Sequence, residues 1–156
     1  TETLVKDNKQ EVQSIAQGVS LSELFELIVN EFNVLTDLKV KSVNYVEYSL
    51  PGSKVVFKRM LENLVRNALQ NTTVGGVLLA ARVRSGKVVL QVFDTGKGMN
   101  KDRVEQIITF NAVESPDGFG IGFSVVKTLC EQEGYELNIR SRLNRGTIVS
   151  IEIPLK

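Results

Sequence analysis

Two apolar, β-branched runs in the middle of the chain constrain its fold most. GVLLAARV (76–83) and KVVLQVF (87–93) are joined by Arg84-Ser85-Gly86. Runs of this kind separated by so short a link read as a β-hairpin, with Gly86 free to take the positive φ that a tight turn demands. Helical periodicities lie on both sides of this hairpin. That order excludes the regular strand–helix alternation of a doubly wound parallel sheet. It predicts an α+β fold, a two-layer sandwich in which about three helices pack on one face of a mixed, mostly antiparallel sheet.

The flanking elements follow from local signals. Ser20-Leu21-Ser22-Glu23 has the form of a capping box, with Ser20 as N-cap and Glu23 three residues on. Leu21, Leu24, Phe25, Ile28 and Phe32 then recur at helical spacing, so a helix is expected over about 20–33. Residues 38–48 alternate loosely and predict one or two strands before the Pro51-Gly52 break. A second helix is expected from Lys54 to about Gln70, with Phe57, Leu61, Leu64 and Ala68 on its apolar face. A short helix over 101–108 and another over about 122–133, ended by Gly134 at C′, lead to strands at 136–140 and 147–153 around an Asn144-Arg145-Gly146 turn. Residues 1–18 are polar and weakly periodic and read as an incoming linker. Residues 19–156 form one domain of ordinary size, in a chain whose first residue, Thr1, suggests a piece of something longer.

Composition narrows the chemistry. With 42% hydrophobic and 24% charged residues the chain is globular, and no apolar run approaches the roughly 20 residues of a membrane span. Nineteen basic residues against eighteen acidic ones leave no overall field that would recruit nucleic acid or anionic lipid. There is no histidine, which removes Ser-His and Cys-His catalysis and imidazole metal sites. The single cysteine, Cys130, lies in an apolar-periodic segment and reads as a core or edge residue, not a nucleophile, in a reduced compartment.

Three places can still carry chemistry. Asn63 and Asn67 are four apart on the second helix, at the margin of its apolar stripe, where a carboxamide oxygen can ligate a hard cation such as Mg²⁺. Exposed polar filling is the competing reading. Asp94-Thr95-Gly96-Lys97-Gly98 follows a strand, and its glycines leave room for a planar ligand near the backbone. Taken alone, Asp-Thr-Gly also opens the catalytic loop of aspartic proteases, although Lys97 would set a cation beside their paired carboxylates. Gly118-Phe119-Gly120-Ile121-Gly122 runs into a helix N-terminus, a place that favours phosphate. Phe123 occupies the last glycine position of a dinucleotide fingerprint, and no P-loop pattern occurs.

The order of these elements (asparagine helix, Asp-x-Gly-x-Gly, Gly-x-Gly-x-Gly, then Gly146-Thr147 entering the last strand) resembles the ATP-binding domain of sensor histidine kinases. That family belongs to the superfamily of DNA gyrase, MutL and the heat-shock chaperone ATPases. The resemblance spans roughly 19–155 and implies ATP lying between the asparagine helix and a lid. It implies Asn67 as Mg²⁺ ligand, Asn63 as its neighbour on the phosphate side, and Asp94 as the adenine-binding carboxylate. It implies Gly96 and Gly98 shaping the base pocket, Phe110 as the aromatic at the start of the lid, and Gly118, Gly120 and Gly122 as its phosphate-facing hinge. The Thr147 hydroxyl would support Asp94. Arg66, Gln70, Met99, Phe119 and Ile121 complete the nucleotide contacts expected on these motifs.

Asn63 stands where hydrolytic members of the superfamily carry a glutamate base, and Glu62 points elsewhere. Phosphoryl transfer to a partner is therefore implied over hydrolysis. The acceptor would be a histidine on a separate dimerisation domain upstream of the 1–18 linker, and the next partner a response regulator receiver domain. Neither nucleic acid nor direct membrane contact is expected. The resemblance implies a cytoplasmic domain whose parent protein can be anchored in the inner membrane. The sequence departs from the family pattern at Gln70 and Asn71, where a basic residue and an aromatic are usual, at Thr95 and Lys97, and in the short acidic segment 111–117. These departures raise a second reading, a binding module of the same fold that regulates a partner kinase with weak or no turnover.

Overall fold

The computed structural model describes residues 18–109 and 119–155, with the backbone alone for 119–121. The described elements run α1 (Leu21–Leu35), β1 (Lys39–Asn44), α2 (Lys54–Gln70), β2 (Gly76–Arg84), β3 (Lys87–Asp94), α3 (Lys101–Thr109), α4 (Phe119–Glu133), β4 (Glu136–Arg142) and β5 (Gly146–Pro154). The five strands form one sheet in the order β1-β2-β3-β5-β4. Only β1 and β2 pair parallel, because α2 lies between them as a crossover; the other pairs are antiparallel. The α+β sandwich expected from the sequence is present, with four described helices in place of about three.

Local signals account for most boundaries. The Ser20 hydroxyl accepts the Glu23 amide at 3.3 Å, and Ser53 does the same for Val56 at the start of α2. Ser85 and Gly86 both take positive φ, 52° and 73°, as the two-residue hairpin turn requires. Gly134 sits at φ 77° and the Tyr135 amide bonds back to the Cys130 carbonyl at 2.9 Å, a Schellman closure of α4. Only 39–44 of the loosely alternating 38–48 pairs as a strand. Beyond it the Asn44 side chain bonds both backbone groups of Val46 and turns the chain out of the sheet.

The strands show which face is which. Leu79, Val92, Val149 and Ile139 lie in one row across β2, β3, β5 and β4, and all are buried in the core beneath the helices. Phe25, Ile28, Phe57, Leu61, Leu64, Phe123 and Val126 meet them from above. Cys130 is buried in the same cluster with its sulfur 3.7 Å from that of Met60, the core position expected of it.

Candidate functional site

The last turn of α2 lies between the glycine-rich loop after β3 and Gly122 of α4. It ends at Gln70 because two side chains take over its carbonyls. Asn71 Nδ2 donates to the Asn67 carbonyl at 2.8 Å, and the Thr72 hydroxyl to that of Ala68 at 2.7 Å. Asn71, which occupies the position where the family pattern has an aromatic, thus serves as a helix cap. Its own carbonyl accepts the Lys97 amide at 3.1 Å, which docks the loop after β3 against the helix end.

That loop presents Asp94. Its Oδ1 accepts the amides of Gly96 at 2.8 Å and Thr147 at 3.2 Å, joining the ends of β3 and β5 across 53 residues of sequence. Burial pushes the Asp94 carboxyl above the ordinary aspartate range, and the two N–H groups pull the other way. Its second oxygen has no protein partner among the described residues. The Thr147 hydroxyl does not reach the carboxylate as expected; it lies 2.8 Å from Ser141 Oγ, and the backbone amide of Thr147 supports Asp94 instead. Ser141 also accepts the amide of the buried Met99 at 2.8 Å. Nothing in the local sequence marks Ser141, because its partners come from two distant segments.

The glycines of the loop do something other than leave room for a ligand. A Cβ on Gly98, which has φ 67°, would run into the Arg142 carbonyl, and one on Gly96 into the Asn71 carbonyl. At both positions the direction is filled by the protein's own backbone, so these glycines permit the loop to pack between α2 and the β4–β5 turn.

Asn67 is 4% exposed, deeper than the core–solvent margin expected of it, and its Nδ2 is buried without a hydrogen-bond partner. Gly122 of α4 faces it: a Cβ there would stand 2.7 Å from Asn67 Oδ1 and 2.9 Å from Nδ2. α4 begins at Phe119, so Phe119, Gly120, Ile121 and Gly122 belong to its first turns, and Gly122 acts as a close-approach point between helices. Phe110 and Gly118, with the acidic segment 111–117, lie outside the described residues.

Of three other residues expected at the site, two have neighbours of their own on or beside α2. Asn63 Nδ2 donates to the Arg59 carbonyl at 2.7 Å on its own helix. The Arg66 guanidinium lies 5.8 Å from the Phe32 ring centroid, a cation–π contact on the α1 side of α2. Gln70 is exposed. Glu62 pairs with Lys58 at 3.3 Å along α2.

The donor set suits Mg²⁺ in a limited sense. A carboxamide whose nitrogen and oxygen are interchangeable by a flip, with one atom uncommitted in a buried position, can supply a single hard ligand. That is the usual protein share at Mg²⁺ sites, where phosphates and water complete the octahedron. The described residues hold no cluster of three or more His, Cys, Asp or Glu side chains that could hold a metal by itself.

Residues 52–156 match the family described as histidine kinase-, DNA gyrase B-, and HSP90-like ATPase. The sensor histidine kinase GtrS of Pseudomonas aeruginosa is 29% identical over 154 residues, covering 96% of this chain and 31% of that protein. The histidine protein kinase DivJ of Caulobacter vibrioides is 32% identical over 115 residues, covering 70% of this chain and 19% of that protein. The chain therefore spans about a third or less of the length of these relatives. Among solved structures, full-length ShkA in complex with AMPPNP superposes with a TM-score of 0.79 at 24% identity, over 88% of this chain and 30% of that one. The catalytic domain of histidine kinase ThkA, nucleotide free, gives 0.76 at 21% identity, over 87% and 95%. At these identities the superpositions establish the fold.

Proposed function

The chain belongs to the family of histidine kinase-, DNA gyrase B- and HSP90-like ATPases, and from that premise we propose that it is the ATP-binding catalytic domain of a two-component sensor histidine kinase. The observation that carries this reading is Asp94, a half-buried carboxylate clamped by two backbone amides with one oxygen left uncommitted among the described residues, beside an asparagine helix whose Asn67 amide is also unsatisfied. Asp94 would accept the exocyclic amine of adenine, a base-selecting contact for which its free, half-buried oxygen is the matching acceptor. Asn67 would contribute one oxygen to Mg²⁺. The bound ATP supplies the phosphoryl group. The domain's share is to hold it in line with a histidine of the dimerisation domain, a matter of position and charge neutralisation. From there the phosphoryl group would pass to a receiver domain.

Among the described residues of α2 no free acid stands next to Asn67 or one turn before it to activate water, which supports transfer over hydrolysis. Asn63 is an amide bonded to its own helix, and Glu62 is engaged by Lys58. No helix among the described residues is long and apolar enough to cross a membrane. A cytoplasmic position of this domain is part of the same proposal, and any membrane anchor would belong to the parent protein.

Calorimetric titration with ATP and ADP, with and without Mg²⁺, tests the binding. Asp94→Asn keeps an oxygen for the Gly96 and Thr147 amides but turns a donor toward the base. It should weaken nucleotide by about 10- to 100-fold, the loss of one charge-assisted hydrogen bond of about 1.5–3 kcal/mol, while leaving the fold intact. No heat with either nucleotide at millimolar concentration refutes the binding. Binding without phosphohistidine on the parent protein's dimerisation domain refutes the transfer and leaves the regulatory module.

A further inference from the structure

The face of the sheet turned away from the helices carries a pattern that nucleotide binding does not use. One row of the register reads Lys41, Leu78, Phe93, Ile148, Arg140 across all five strands. Three half-buried apolar side chains form its floor, and an exposed cation closes each end. Lys39 and Arg142, one row along, repeat the cations on the same two margins, and Arg145 adds a fifth. Together these residues line a groove of ≈ 910 Å³. The one acidic residue bordering it is Asp94, whose side chain belongs to the opposite row and is held by the Gly96 and Thr147 amides. None of the five cations is in an ion pair among the described residues. A chain with a net charge of only +1 therefore concentrates five unpaired cations around one apolar strip.

We propose that this open face is a docking surface for an amphipathic helix of a partner protein, one whose apolar stripe is flanked on both sides by carboxylates. The dimensions support it. The floor spans two strand spacings, about 10 Å, and the cationic margins stand four spacings apart, about 19 Å. A helix is about 10–12 Å across with its side chains, so one or two turns of a helix lying along the strands would cover the floor and bring their flanking residues to both margins. A single free phosphate fits less well, because the two sets of cations stand too far apart to share it and it would leave the apolar floor uncovered. Single-stranded nucleic acid fits less well too. It needs aromatic faces to stack on, and the floor offers one ring, Phe93, among aliphatic side chains. The floor side chains Leu78, Phe93 and Ile148 alternate in register with Asp94 and so point to the opposite face of the sheet, which lets docking there and nucleotide binding be tested apart.

The test follows backbone amide resonances of the 156-residue chain during titration with an 18-residue helical peptide carrying leucines on one stripe and glutamates on both flanks. Expected are shifts centred on Leu78, Phe93 and Ile148, weakening as salt is raised. A peptide with lysine flanks should bind at least tenfold more weakly. In the double variant K41E/R140E, whose exposed side chains support no packing, the preference should invert, with the lysine-flanked peptide gaining what the glutamate-flanked one loses. Absence of binding at millimolar peptide, shifts lying elsewhere, or equal affinity of the charge-reversed variant for the glutamate-flanked peptide would each overturn the proposal. So would a ten-residue oligothymidylate that binds the same residues more tightly than the peptide.

Discussion

Replacing Gly122 by alanine sets two effects of known sign against each other. Gly122 lies inside α4, where alanine is favoured over glycine by about 1 kcal/mol from backbone entropy and helix propensity. Were that the whole story, the variant would be more stable. The added methyl group, however, would stand 2.7, 2.9 and 3.1 Å from Oδ1, Nδ2 and Cγ of Asn67, where ordinary contact begins at 3.4 Å. Asn67 is buried and cannot swing into solvent, so the helices must part or the amide must turn within the core. Overpacking of this kind costs about 1–3 kcal/mol. The balance is a loss of about 1 kcal/mol, a fall of about 3 °C in Tm for a domain of this size, measured by urea and thermal unfolding. In an Asn67→Ala background the obstruction is gone, and Gly122→Ala should then stabilise by its full propensity gain. The coupling energy of the cycle should accordingly be about 1–3 kcal/mol. In calorimetry with ADP, Gly122→Ala should lose the increment of affinity that Mg²⁺ confers while retaining metal-free binding through Asp94. A Gly122→Ala protein that is about 1 kcal/mol more stable, with no coupling to Asn67, would refute the contact and the account built on it.

Three further outcomes follow from the same structure. Burial raises the Asp94 carboxyl, so the folded chain binds that proton more tightly than the unfolded one. The stability this provides is present at low pH and lost as pH rises from the ordinary aspartate range through the folded value. A carboxyl ¹³C titration should place the midpoint above that of exposed aspartates, and adenine nucleotide affinity should fade on acidification through the same window; a midpoint at or below that of exposed aspartates refutes it. The Cys130 thiol, buried and pushed up to about 12 by desolvation and the neighbouring Glu131, should react with disulfide reagents only as fast as the protein opens, a rate that urea accelerates. Thr72→Val removes the donor to the buried Ala68 carbonyl and should cost about 1–2 kcal/mol in urea unfolding without altering the spectrum of the folded state.

Element positions were legible from the chain alone, because their signals are local. Ser20 and Gly134 mark helix ends through hydrogen bonds within a turn. The Ser85-Gly86 hairpin, the leucine and phenylalanine stripes of α1 and α2, and the order of the asparagine helix and two glycine segments are likewise contained in short windows. They suffice for the fold class and the family. The neighbours of each residue were not legible, because those are set by pairings far apart in sequence. β5 enters the sheet between β3 and β4, so Asp94 meets the amide of Thr147 in place of its hydroxyl. Arg66 could not be assigned a side of α2 until α1 brought Phe32 beside it. Gly96 and Gly98 invite a ligand when read along the chain, but the folded backbone occupies their open side. The cations of the open face, scattered from Lys39 to Arg145, become one surface only when five strands align in register. Periodicity tells which side of an element is buried; only tertiary pairing decides what that side, or its opposite, is placed against.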